Sequence, residues 1–112
     1  MGIIVKLLIN SIAVAITGYL LQSGVRIDSF ITAVIVAVVL GVINTFIKPI
    51  ITILTLPISF LTLGLFSLII NGLFIMIVSA LVEGFEVTSF VWAIIFSIVL
   101  SLINAVLNSF SK

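Results

Sequence analysis

Few side chains in this sequence can do acid–base chemistry, and the polar groups within its apolar runs are mostly hydroxyls and amides. Asn10, Asn44, Asn71 and Asn104 recur through runs of Ile, Val, Leu and Phe. An amide donates and accepts hydrogen bonds but carries no titratable proton near neutral pH. The charged residues are four Lys or Arg and three Asp or Glu. Arg26, Asp28, Glu83 and Glu86 fall in two short polar stretches, while Lys6, Lys48 and Lys112 stand apart. Histidine and cysteine are both absent. The usual zinc ligands, thiol chemistry and disulfides are therefore missing from the inventory. No apolar stretch holds a carboxylate that could serve as acid, base or metal ligand. The residues predict a protein that is not an enzyme and that needs no cofactor or metal.

What positions these residues follows from composition. The 112 residues are 64% hydrophobic and 6% charged, whereas a soluble domain carries about 25% charged residues. Such a chain cannot clothe itself in polar surface, so its partner is the lipid bilayer. The net charge of +1 comes with no basic cluster, which leaves a nucleic-acid partner without support.

Four apolar spans are predicted: Ile3 to Leu21, Phe30 to Ile47, Phe60 or Leu61 to Val82, and Phe90 to Leu107. Each has about the 17–25 residues a membrane helix requires, and lipid leaves no other way to satisfy the backbone of a short span. Residues 22–29 and 83–89 are the polar loops between them. The fold class is thus an all-α membrane protein of four transmembrane helices, in one domain covering residues 1–112.

The halves resemble each other. With an offset of 60, nine of the 22 positions in Ser23–Asn44 match Glu83–Asn104, including Gly24/Gly84, Ser29/Ser89, Phe30/Phe90 and Asn44/Asn104. Leu7 to Asn10 likewise matches Leu68 to Asn71 with one residue of slack. Two parallel helix-pair repeats are expected, residues 3–47 and 61–107, related by a pseudo-twofold axis along the membrane normal. Residues 48–60 are then a connector. Pro49 and Pro57 lack an N–H and disfavour helix at Lys48 and Leu56. Between the prolines, "IITILTL" is expected to lie along the interface; a shallow re-entrant hairpin is the alternative. Gly64, early in the third span, permits close helix approach.

Charge sets the orientation. Lys6, Lys48 and Lys112 fall on one side of the four spans, and Arg26, Asp28, Glu83 and Glu86 on the other. The positive side stays cytoplasmic, so both termini are expected inside. Tyr19 and Trp92 fall near the outer boundary, as interfacial aromatics do.

"VRID" and "FEVT" in the outer loops both alternate apolar and polar residues, a period that suits extended chain. Ser29 and Ser89 can cap the helices that follow. Two solvated turns are the simpler expectation, because four-residue strands are marginal alone. The alternative is antiparallel pairing about the pseudo-twofold axis, with Arg26 near Glu86.

Asn10 and Asn71 each precede the outer end of their helix by 11 residues; Asn44 and Asn104 each follow an outer start by 14. At 1.5 Å per residue these depths are about 16 and about 21 Å. All four fall in one layer and are expected to face the protein interior, since an amide in hydrocarbon needs a partner. Interhelical hydrogen bonding is the favoured role, with Ser67, Ser79, Ser97, Ser101, Gly41 and Gly72 as small interface residues. A polar path or a headgroup slot is the alternative, but no ionisable residue joins the layer.

"SGVRIDSF", "LGVINTFIKPI", "LTLPISFLTLGLF", "LIINGLFIMIV" and "GFEVTSF" together resemble a bacterial family of small four-span proteins, phage holin superfamily IV of the mycobacterial type. The "LTLP" and "LTLGLF" pairing is the specific part. The resemblance covers nearly the whole chain. It implies the bacterial cytoplasmic membrane and a holin role, in which the protein accumulates and opens lesions for an endolysin. The residues themselves point first to a structural or envelope-associated, homo-oligomeric inner-membrane protein, which needs no reactive group. A holin-like pore former is the second reading. A small ion or solute channel is the third, although no intramembrane charge marks its path.

Overall fold

The computed structural model describes residues 2–47, 49–51, 53 and 65–110. Four apolar helices dominate it: α1 Ile3–Leu20, α2 Phe30–Val42, α3 Leu65–Leu81 and α4 Phe90–Phe110. Two short strands join them at one end, β1 Val25–Ile27 between α1 and α2, and β2 Phe85–Val87 between α3 and α4. α1 packs against α2 and α4, α3 packs against α4, and α2 meets α3 along a narrower seam.

α1 and α2 bury mainly small or weakly polar residues, α3 and α4 also bury Ile70, Phe74, Ile75 and Phe96, and all four expose large apolar ones. α1 buries Ser11, Ala13, Val14, Thr17 and Gly18, whereas Leu8, Ile12, Ile16 and Leu20 are exposed. In α3 the exposed residues Leu65, Ile69, Leu73, Ile77 and Leu81 recur every fourth position and form one stripe. Lipid tails are as apolar as Leu, so burying Leu between helices gains little; close backbone approach over small residues gains more. The buried hydroxyls find acceptors within their own helices. Ser11 Oγ donates to Leu7 O at 2.7 Å and Thr17 Oγ1 to Ala13 O at 2.6 Å, the back-bonding that spares a hydroxyl from standing alone in a dry interface.

At its far end α2 widens into a π turn, Ile43–Ile47, and Pro49 to Ile51 is again helical. The apolar helical stretch suited to crossing a bilayer accordingly extends from Phe30 to Ile51. The sequence ends the second span at Ile47 with an interruption at Lys48 and Pro49; the described residues show a π turn just ahead of the proline and helix again at Pro49 to Ile51. Pro49 has no N–H to offer and its ring crowds the carbonyl one turn back; a π turn relieves that crowding by spreading the ladder. The connector residues Lys48, Pro57 and Gly64 lie outside the described residues.

The two polar loops pair. β1 and β2 are antiparallel, with Val25 opposite Val87, Arg26 opposite Glu86 and Ile27 opposite Phe85. The ladder continues at both ends: Asp28 N donates to Gly84 O and Thr88 N to Gly24 O, each at 2.9 Å. The simpler expectation of two solvated turns therefore gives way to the paired alternative. Strands this short do not hold by themselves; here they are seated on the helices. Val25 and Phe85 are 2% and 1% exposed, and the Phe85 ring lies tilted on Phe96 with centroids 5.3 Å apart. Two glycines make the seat fit. A Cβ on Gly24 would stand 2.0 Å from the Trp92 ring, and Gly84 has φ of +87°, a left-handed conformation that side chains resist.

Candidate functional site

The sheet presents its charged residues outward. Arg26 Nη1 donates to Asp28 Oδ1 and Nη2 donates to Glu86 Oε2, so one guanidinium bridges a carboxylate on its own loop and one on the other. The hydrogen bond to Glu86, with the charges of Asp28 and Glu86, holds the Arg26 guanidinium above its ordinary pKa. Arg26 and Glu86 are 57% and 66% exposed in their side chains. Ion pairs this wet add little stability, and their value lies in fixing which groups face which.

Both helices that leave the sheet begin with a capping serine. Ser29 Oγ accepts from Thr32 N at 3.3 Å, and Ser89 Oγ accepts from Trp92 N at 3.4 Å. Thr88 Oγ1 also donates to Gly24 O, and Ser79 Oγ to Phe85 O at 3.2 Å. The sheet is thereby tied to the end of α3 and to the loop after α1. Glu83 is exposed in the turn before β2.

The asparagines are placed differently from one another. Asn10 in α1, Asn71 in α3 and Asn104 in α4 are half-buried, whereas Asn44, in the π turn, is exposed. Among the described residues, no side-chain hydrogen bond joins two of these four across helices. Asn104 is instead approached along its own helix: Asn108 Nδ2 donates to Asn104 O at 2.8 Å and lies 3.4 Å from Asn104 Oδ1. Asn108 is the polar residue that the sequence reading passes over, and its spacing of four from Asn104 was the signal for it. Pro49 is exposed.

Among the described residues, no three His, Cys, Asp or Glu side chains stand close enough to hold a metal ion. The polar groups fall instead into a charged clasp at one end of the bundle and scattered amides along the helices. Three helices long and apolar enough to cross a bilayer, together with a shorter apolar helix, define a small polytopic membrane protein. Four helices also fit a four-span family, and residues 1–106 match one described as mycobacterial 4 TMS phage holin, superfamily IV. The chain belongs to that family.

Its curated relatives carry no assigned activity. An uncharacterized protein of Streptomyces coelicolor is 33% identical over 116 residues, covering 96% of this chain and 93% of the relative. The uncharacterized membrane protein YvlD of Bacillus subtilis is 32% identical over 106 residues, covering 93% of this chain and 87% of the relative. No solved structure matches at a comparable level.

Proposed function

We propose that the chain is a structural, oligomer-forming protein of the bacterial cytoplasmic membrane, built from two parallel helix-pair repeats clasped at their outer end. The observation that carries this reading is the sheet. It joins the loop of one half to the loop of the other, and Arg26 links Glu86 and Asp28 across it. Its register supports the repeat. Positions 24 and 84, and 28 and 88, are equivalent under the offset of 60, and the bonds Asp28 N to Gly84 O and Thr88 N to Gly24 O exchange under that equivalence. The outer placement of the clasp and the cytoplasmic placement of the termini rest on the distribution of lysine.

Association with further copies is supported by polar groups that stand exposed among the described residues. Asn44 is exposed, as is Ser101 on α4, and only 11% of the apolar window of α4 is buried. Amides and hydroxyls facing hydrocarbon favour a protein neighbour over lipid. The asparagines serve in this reading as hydrogen-bonding groups between helices.

Membership of the holin family supports a second reading, a pore former. Purified protein in liposomes separates the two. The structural reading expects defined oligomers on cross-linking and no release of entrapped dye. Release of large dyes from the parent protein decides for the pore former, and selective ion flux for a channel.

A further inference from the structure

Beside the clasp lies a groove of about 480 Å³, bounded by the end of α1, by β1 and by the first turn of α2. We infer that this groove binds the headgroup of a zwitterionic aminophospholipid, with the phosphodiester toward Arg26 and the ammonium toward the carboxylates of Asp28 and Glu86.

Its place comes first. The apolar helices end here and the charged residues begin, so the groove sits at the level of lipid headgroups whichever side of the membrane it faces. Its volume falls within the range of about 300–1,000 Å³ usual for small-molecule sites.

Its walls match both ends of a lipid. Gly18, Ile27 and Phe30 make an apolar side, Tyr19 stands at the edge, and Gln22 and Arg26 supply hydrogen-bonding groups. Tyr19 and Phe30 are themselves exposed, and so is Ile16 one turn below Tyr19, so an acyl chain leaving the groove meets apolar surface. A free phosphate has no use for that surface.

The charge chooses the headgroup. A guanidinium carries five N–H groups, and two contacts, to Asp28 and Glu86, account for part of them. The remaining donors suit a phosphate. Yet the triad holds one positive and two negative charges, and Glu83 adds a third negative charge in the neighbouring loop. A purely anionic headgroup meets net repulsion there. A headgroup that carries its own ammonium meets a guanidinium in the groove wall for its phosphate and, just beyond that wall, the two carboxylates paired with the guanidinium for its amine. The other half of the molecule lacks this arrangement: under the offset of 60, buried Val82 and the carboxylate Glu86 stand where Gln22 and Arg26 would.

Native mass spectrometry of the full chain in detergent tests the assignment, with dihexanoyl phosphatidylethanolamine, dihexanoyl phosphatidylglycerol and inorganic phosphate as probes. The expected result is saturable binding of one phosphatidylethanolamine per chain, with phosphatidylglycerol about tenfold weaker and phosphate not retained. Arg26→Gln removes the guanidinium. Gln22→Trp narrows the groove at an exposed position without touching the ion pairs, and it decides the matter should Arg26→Gln lose the sheet. Each variant is expected to weaken phosphatidylethanolamine binding by about tenfold while helix content by circular dichroism is kept. Equal binding of phosphatidylglycerol, retention of phosphate alone, or undiminished binding by folded Gln22→Trp overturns the proposal.

Discussion

Phe85→Ala measures how firmly the clasp is seated, and Phe110→Ala is its matched control. Both changes remove the same ring. Phe85 is 1% exposed and lies on Phe96, which is 0% exposed, whereas Phe110 at the end of α4 is 81% exposed. Truncating a core Phe costs about 3–5 kcal/mol in water-soluble proteins, through lost transfer energy and the cavity left behind. In a membrane mimetic the unfolded segment remains in partly apolar surroundings, so the transfer part shrinks while the lost packing stays. The lower end, about 3 kcal/mol, is therefore expected for Phe85→Ala, and within about 0.5 kcal/mol of zero for Phe110→Ala. About 3 kcal/mol is more than a hundredfold in the folding equilibrium.

The chain contains one tryptophan, which suits the assay. Trp92 lies against Gly24 beside the sheet, so its fluorescence reports on the junction that Phe85 supports. Unfolding by dodecyl sulfate in mixed micelles, followed through Trp92, gives the two stabilities. The pair Phe85→Ala and Phe96→Ala also forms a double-mutant cycle, with a coupling of about 0.5–1.5 kcal/mol expected for rings at 5.3 Å. Should Phe85→Ala and Phe110→Ala differ by less than about 1 kcal/mol, burial is not what holds the strands, and the account of the sheet fails.

Because the chain has no cysteine, Val25→Cys with Val87→Cys should oxidise to a disulfide in the membrane; adjacent ladder bonds make this a non-hydrogen-bonded pair with close side chains. Failure of that pair to close, while Arg26→Cys with Val87→Cys closes readily, contradicts the register. Ser23→Cys and Thr88→Cys should label with an impermeant thiol reagent from outside intact cells and Gly2→Cys should not; equal labelling of all three reverses the topology. Asn104→Leu should cost about 0.6–2 kcal/mol in detergent without changing flux. Asn44→Leu should instead shift cross-linked material toward monomer, since Asn44 is exposed in the single chain; a selective ion flux lost in either folded variant makes the asparagines part of a path.

The spans were legible because an apolar run bounded by polar loops has one solution in lipid. α1 and α4 start where the sequence places them, at Ile3 and Phe90. Which face of each helix turns inward was not legible. A span with lipid on one side and protein on the other is apolar all round, so periodicity carries little signal, and only the small residues such as Ser11, Ala13 and Gly18 mark the buried side of α1. That is also why depth along the helix axis could be computed for Asn44 while its exposure could not. Pro49 announced a disturbance, but the choice between ending the helix and widening it into a π turn depends on how neighbouring carbonyls are satisfied. The strands were readable as alternation, and their pairing was not, because β1 finds its partner strand about 60 residues away in the chain and both need the helices beneath them.

The sheet answers a problem that the helices leave open. Packing among Ile, Val and Leu in lipid discriminates weakly between one helix neighbour and another, since hydrocarbon is an adequate partner for any of them. α1 packs against α4, while α2 and α3 meet only along a narrow seam, so the first half is held against the second within the bilayer by contacts of this weakly discriminating kind. A strand pair is discriminating in a different way. Slipping β1 by one residue would turn Val25 toward water and Arg26 toward Phe96, and every side chain would change face. Gly24 and Gly84 extend that selectivity, one by admitting Trp92 and the other by supplying a backbone conformation that other residues resist. The charged triad then marks the single register in which Arg26 meets Glu86. A few residues outside the hydrocarbon thus help to set the relation between two helix pairs within it, and one of them, Arg26, also lines the adjoining groove.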